Sequence, residues 1–344
     1  MALQNILVIK LRYLGDVLLA TPMLHALKAA YPMARLSVLV NRGTEEILLR
    51  NPYVDEVMLL EKGSIAAQWS FASDLRRKRF DTVIDLTDAD RSAFLTWMSR
   101  APIRIGFNDE RRWRGWCYTD VVRAEPASHR IERDLAALTP LGITVSDKLP
   151  RLWLSAEDEV RAEELLSRLG VQHGQLTVVI QPGARYWFKA WPHERFAELA
   201  DRLTAEYQCQ VLIGGSSQEI DLAQQIARAA KCHPVVLAGQ VGIKPFAAIL
   251  KRSALFVGND SGAMHIAMAV GTPVVALFGP SNPREWGPRG GACEVIYKEL
   301  DCRACFHPAC QRGEQNCMKL ITIDEVCAAA GKLLAIKNHR GRLA

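Results

Sequence analysis

The sequence predicts an α/β protein of two doubly wound units, each a parallel sheet covered by helices on both faces. Three observations carry that expectation. Short apolar runs alternate with amphipathic stretches of helical period. The alternation breaks at a strongly charged helical segment near residues 155–170 and then restarts. The length, 344 residues, exceeds the about 100–200 residues of a usual single core, so two domains are expected.

Taken in order, the chain opens on Ile6-Leu7-Val8-Ile9, an apolar run between polar residues that reads as a buried strand over residues 5–10. Further strands are expected at 36–40, 54–60 and 82–86, with helical patterns between them. Ser155 and the acidic residues after it give the charged helix a capped start, and Gly170 gives it a stop. The second set starts with a strand at 177–181 and a helix from Pro192. Strands follow near 210–213, 235–237, 255–257 and 274–277. The expected domains are residues 1–170 and 171–322, with 323–344 as a C-terminal helical segment. Both sets of strand carboxyl ends would then face a cleft.

Hydrophobic residues make up 49% and charged residues 23%, a globular composition that excludes disorder. No run of 18 apolar residues occurs, and the N-terminus lacks the order of a signal peptide, so residence in the cytoplasm is expected. The formal charge is +6, with clusters at Arg76-Arg77-Lys78-Arg79 and Arg111-Arg112-Trp113-Arg114. Such runs read as solvated helix ends or loops; the competing reading is a surface for phosphates, on an anionic membrane or a phosphorylated substrate. Nucleic acid is not expected, because no zinc-finger spacing, RNP motif or helix-turn-helix accompanies the charge.

Four stretches carry chemistry. In KLRYLGDVLLATP, residues 10–22, a dinucleotide site would need G-x-G-x-x-G, and only Gly15 is present. Asp16 sits at this turn, before a helix expected from about Val17, and could be a functional carboxylate or a helix cap. In VGNDSGAMHIAMAVGTPVVALFGPSNPREWGP, residues 257–288, a strand hands over to a helix near Asp260, Ser261 and Gly262. Free N–H groups there favour an anion, with His265 one turn on. Asp260 could equally be a cap and His265 a core histidine. In QPGARYWFKAWPHERFAEL, residues 181–199, Arg185 and Lys189 lie on a loop where they could clamp a diphosphate, or could be exposed basic loop residues with Trp187 and Trp191 packing beneath. Gly214 and Gly215 end the next strand and would let a base or ribose approach the backbone. Glu219 follows as a candidate acceptor for ribose hydroxyls.

Two further patterns read as structural. Asp88-Ala89-Asp90 is a formal D-x-D, which can bind a divalent ion but here reads as turn and N-cap residues. Cys302, Cys305, Cys310 and Cys317 fall close together, but only the first pair has zinc-ribbon spacing, so they read as ordinary thiols.

The first three motifs, in their order and spacing along the chain (residues 10–22, 181–199 and 257–288), closely resemble the ADP-heptose:lipopolysaccharide heptosyltransferases, glycosyltransferase family 9. The wording KLRYLGDVLL is most similar to the third heptosyltransferase. The resemblance implies a GT-B fold of two Rossmann-like domains, the N-terminal one for the acceptor and the C-terminal one for ADP-heptose. It also implies a helix at about 323–336 that crosses back to the first domain.

The resemblance implies inverting transfer of L-glycero-D-manno-heptose from ADP-L-glycero-β-D-manno-heptose to an inner-core heptose of lipopolysaccharide, with no cofactor and no metal. Asp16 matches the family's catalytic base, and Lys189 matches the residue that contacts the donor phosphates. Arg185, Gly214, Gly215, Glu219, Asp260, Ser261, Gly262 and His265 complete the donor set. Ala184 and Arg185 stand where hydroxyl residues are found in the first heptosyltransferase. The acceptor set is Arg12, Tyr13, Arg111 and Arg112. The alternatives are transfer of the first or second heptose, nucleotide-sugar epimerisation on the same fold, or noncatalytic lipopolysaccharide binding. Peripheral contact with the cytoplasmic face of the inner membrane is expected.

Overall fold

A computed structural model describes residues 3–61, 65–302 and 310–341. Contacts divide the chain into two compact units, Met1–Trp153 and Leu154–Ala344.

In the first unit the order is β1 (Asn5–Lys10), α1 (Leu14–Leu19), α2 (Thr21–Ala30), β2 (Arg35–Asn41), β3 (Glu56–Leu60), α3 (Ile65–Arg77), β4 (Thr82–Asp85), α4 (Asp90–Met98), β5 (Ile103–Phe107), β6 (Asp120–Val122) and α5 (Arg130–Ala136). The strands form one sheet in the order β3-β2-β1-β4-β5-β6, and every pairing is parallel. Ile6 of β1 stands opposite Leu36 of β2 and Thr82 of β4. Ile6, Leu7, Val8 and Ile9 are all fully buried, which is why this central strand is continuously apolar rather than alternating.

The second unit comprises α6 (Ala156–Arg168), β7 (Thr177–Gln181), α7 (His193–Tyr207), β8 (Gln210–Ile213), α8 (Ile220–Ala229), β9 (Val235–Val236), α9 (Ile243–Arg252), β10 (Leu255–Asn259), α10 (Gly262–Ala269), β11 (Val274–Phe278), α11 (Pro283–Trp286), β12 (Cys293–Tyr297) and α12 (Ile323–Gly341). Its sheet, β12-β11-β10-β7-β8-β9, is also parallel and repeats the first topology read from the other edge. Ser155 caps α6 through a reciprocal bond pair with Asp158, and Gly170 follows in the left-handed conformation that ends it. Thus the charged helix belongs to the second unit. So does the described part of α12: Val326, Ala330, Leu333 and Leu334 pack into the core around Trp191 and Phe196.

Both sheets have a point where the chain leaves neighbouring strands toward opposite edges, between β1 and β4 and between β7 and β10. Ligands of open parallel sheets bind beyond the carboxyl ends of strands at such points. The strands β5, β6 and β12 are not foreseen, β6 because it has only three residues, and α1 begins at Leu14, earlier than expected. No helix among the described residues is long and apolar enough to cross a membrane.

Candidate functional site

At the first switch point, the turn after β1 is bonded to the turn after β4. The Leu11 N–H donates to the Thr87 hydroxyl at 2.8 Å, and the Arg12 guanidinium donates twice to the Thr87 carbonyl at 2.9 and 3.1 Å. Tyr13 is the N-cap of α1, with an exposed ring and no side-chain cap bond. Asp16 is therefore the third helical residue and not the cap, so capping does not explain it. Its carboxylate is buried to 8% exposure in the first turn, where the helix dipole favours negative charge.

Beneath this turn lies an ion pair that sequence reasoning missed. Lys10, at the end of β1, donates to both carboxylate oxygens of Asp134 on α5, at 2.7 and 2.9 Å, and both side chains are almost fully buried. Burial pushes the Asp134 carboxyl above its ordinary value, while Lys10 and then Arg130 pull it down. Burial, and next the Arg133 charge, lowers the Arg130 guanidinium; Asp134 and Asp16 oppose this. Asp16 thus sits in the field of Arg130 and Asp134.

Asp88, just past β4, adopts φ +55° and pairs with two buried guanidiniums, Arg114 at 2.9 Å and Arg133 at 2.6 Å. Arg133 also reaches Asp109 at 3.0 Å and stacks 3.9 Å over the Phe107 ring. The turn reading of Asp88 holds. The cap of α4, however, is Ala89, and Asp90 is the first helical residue. Asp85 accepts bonds from the Thr87 N–H and the Tyr118 hydroxyl; burial raises its carboxyl, and burial followed by the Asp85 charge raises the Tyr118 phenol. Arg111 and Arg112 are exposed on the loop after β5, and Arg112 is paired with Glu110 at 2.6 Å.

At the second switch point, Lys189 reaches from the loop after β7 to Asp260 at the end of β10, with Nζ 2.6 Å from Oδ2. Asp260 is not the cap of α10 either; Ser261 is, and its hydroxyl makes no cap bond and is buried without a partner. Gly262 opens the helix, and His265 is buried within it. Asn259, another residue missed from the sequence, fixes the loop: it accepts from the Trp191 N–H at 3.1 Å and donates to the Pro182 carbonyl at 2.7 Å. Trp191 is fully buried, its indole N–H bonded to the Ile321 carbonyl, whereas Trp187 is half exposed and does not pack beneath the loop. Arg185 is exposed, 5.7 Å from the Tyr186 ring centre.

Glu219 lines a largely apolar cavity of about 680 Å³ with Gly183, Trp187, Phe188, Leu222 and Met318. One of its carboxylate oxygens accepts from the Ser216 N–H at 2.7 Å. The other comes so close to Gly183 that any Cβ there would collide with it. Gly214 and Gly215 meet protein rather than open space: a Cβ would strike Gln181 and Phe246 at the first and Ala238 at the second. Of the four clustered cysteines, Cys302 is exposed and Cys317 buried, while Cys305 lies outside the described residues.

The family model for glycosyltransferase family 9 (heptosyltransferase) matches residues 68–315, a span that takes in the second and third motifs. A protein named lipopolysaccharide heptosyltransferase 3 from Escherichia coli is 32% identical over 342 residues, covering 94% of this chain and 97% of that protein. Its namesake in E. coli strain K12 is 35% identical over 292 residues, covering 81% and 83%. A family 9 glycosyltransferase structure from Veillonella parvula DSM 2008 matches with a TM-score of 0.85 and 27% identity over 97% of this chain and 99% of that one. The structure of E. coli ADP-heptose lipopolysaccharide heptosyltransferase II gives 0.81 and 25%, covering 97% and 100%. The GT-B α/β class expected from the sequence is therefore observed, and the chain belongs to glycosyltransferase family 9 and is a glycosyltransferase.

Proposed function

We propose that this enzyme transfers L-glycero-D-manno-heptose from ADP-heptose to an inner-core heptose of lipopolysaccharide, adding the third, branching heptose. The observation that carries this reading is the 32–35% identity, over most of the chain, to two proteins named lipopolysaccharide heptosyltransferase 3. The enzyme acts in the cytoplasm, meeting its acceptor at the inner membrane, and needs no cofactor.

In this reading the reaction inverts the sugar and uses no metal ion. Asp16 takes the proton of the acceptor hydroxyl, and the departing diphosphate needs positive groups to hold its charge. Lys189 supplies one, and the free N–H groups at the start of α10 supply others. Ser261 supports the assignment, because a phosphate oxygen would give its orphaned hydroxyl a partner. Arg185, Gly214, Gly215, Glu219, Asp260, Gly262 and His265 complete the donor site, and Arg12, Tyr13, Arg111 and Arg112 the acceptor site. Asp260 holds Lys189 until the diphosphate joins the pair.

The test is to incubate the protein with ADP-heptose and defined truncated cores and to weigh the products. A gain of one heptose on a core that already carries two is expected. A gain on a core without heptose would reassign the chain to the first transfer, and a gain on a one-heptose core to the second.

A further inference from the structure

We propose that the joined outer face of α3 and α4 is a docking surface for an anionic lipid bilayer. Two kinds of group meet there. Trp69 of α3 and Trp97 of α4 are each about half exposed, at 54% and 49%. Phe94 bridges them, its ring edge-on to Trp69 at 5.5 Å and tilted against Trp97 at 6.3 Å. Such a run of aromatic surface has a purpose more often than a lone exposed ring, and amphipathic indoles settle at the headgroup level of a membrane.

Arginines continue this face. Arg76 lies two helical turns beyond Trp69 and so on the same side of α3, and Arg100 follows Trp97 just past the end of α4. With Arg79 they rim a depression of about 750 Å³. The carboxylates nearby are committed elsewhere. Asp74 pairs with Arg77 at 2.7 Å, Glu56 with Lys78 at 2.5 Å, and Asp81 accepts from the Gln4 and Asn5 N–H groups. Arg76, Arg79 and Arg100 therefore have no carboxylate partner among the described residues. Unneutralised arginines beside exposed indoles complement a surface of anionic headgroups over an apolar interior. A nucleic acid fits less well, because the rings pack on one another instead of standing apart to receive bases.

The contact would be peripheral, since no described helix can span a membrane. Lipid docking does not depend on the proposed transfer reaction, and the two are measured separately.

The experiment sediments the full chain with vesicles of phosphatidylcholine alone and of phosphatidylcholine mixed with phosphatidylglycerol, at low and high salt. Binding to the anionic vesicles only, weakened by salt, is expected. Arg79 and Arg100 have φ +50° and +55°, so asparagine, which tolerates that region, replaces them in the variant Arg76→Gln/Arg79→Asn/Arg100→Asn. Each arginine lost should weaken binding about fivefold, about a hundredfold for the three. Trp69→Ser/Trp97→Ser should weaken it independently, and circular dichroism checks that each variant is folded. Should the triple variant misfold, Arg100→Asn alone and the tryptophan pair carry the test. Wild-type binding by the folded variants would overturn the proposal, as would equal binding to neutral vesicles. Displacement by excess inorganic phosphate would make this a phosphate site, and preference for duplex RNA over vesicles would make it a nucleic-acid surface; either result overturns lipid docking.

Discussion

In the first unit the crevice between β1 and β4 is built from buried charges paired with one another, Lys10 with Asp134 and Asp88 with Arg114 and Arg133, although one guanidinium nitrogen each of Arg114 and Arg133 lacks a hydrogen-bond partner. In the second, the matching crevice between β7 and β10 has one partly buried ion pair, a helix start and an orphaned hydroxyl beside an aromatic loop. The strand order is the same, so the sheet does not account for the difference; the residues just past the strand ends do. A prearranged network of mutually paired charges suits holding a base in place. A helix start with an orphaned cap hydroxyl suits a ligand that arrives with its own charge.

Breaking the first half of that contrast should give the largest effect. Asp16→Asn keeps the size and shape of the side chain but cannot take a proton. Transfer should fall by roughly 10²–10⁴-fold, the usual contribution of a positioned base. Because the assigned donor groups all lie in the second unit, ADP affinity should stay at the wild-type level. Both are measured on one preparation, and near wild-type turnover would send the search for the base to another residue of the first unit.

The ion pair beneath Asp16 offers the next test. Lys10→Met leaves Asp134 buried without its cation, and breaking such a pair from one side costs about 3–5 kcal/mol of stability in denaturant unfolding. Lys10→Met/Asp134→Leu removes both charges and should recover most of that loss. If the double variant is as stable as wild type but slow in transfer, the pair positions the Asp16 turn as well as holding the fold. If it is neither unstable nor slow, the network is not needed to hold that turn.

A corresponding cut in the second unit falls on Asn259. Asn259→Ala would strand the Trp191 N–H and the Pro182 carbonyl, two buried backbone groups at about 1–3 kcal/mol each, so a loss of roughly 2–6 kcal/mol is expected. Trp191 would keep its indole bond to Ile321 and its packing on Phe196, so the fold should persist while the loop carrying Lys189 loosens. A large fall in ADP affinity in a variant that stays folded would show that the second crevice, too, depends on being held in place.

What could be read from the sequence was local chemistry. The Ser155 capping pair spans three residues and was legible; so was β1, whose apolar run needs no partner to be recognised. The ion pairs were not, because Lys189 and Asp260 lie 71 residues apart and Lys10 and Asp134 lie 124 apart. Cap positions failed for a related reason. Asp90 and Asp260 are each one place from the true cap and Asp16 three, since Tyr13, Ala89 and Ser261 hold those positions without side-chain cap bonds from their own groups to mark them. The three-residue β6 is held by its neighbour β5 rather than by an apolar pattern of its own, so periodicity could not find it.

The smallest expected effect falls on Lys189, and it asks whether the second crevice is as open as its fittings suggest. Without added divalent metal, ADP should raise the melting temperature, because a ligand bound only by the folded state stabilises it. Lys189→Ala removes one charge-assisted contact, worth about 1.5–3 kcal/mol or roughly a 10–150-fold loss of ADP affinity. Part of that loss has another source. The variant also leaves the nearly buried Asp260 carboxylate unpaired, facing the incoming diphosphate. Lys189→Ala/Asp260→Asn separates the two: affinity should rise above the single variant yet stay below wild type. Recovery to the wild-type level would mean that Lys189 only screens Asp260 and never touches the donor. Loss of both ADP stabilisation and transfer in EDTA would show that a metal ion, and not this lysine with the α10 helix start, carries the diphosphate charge.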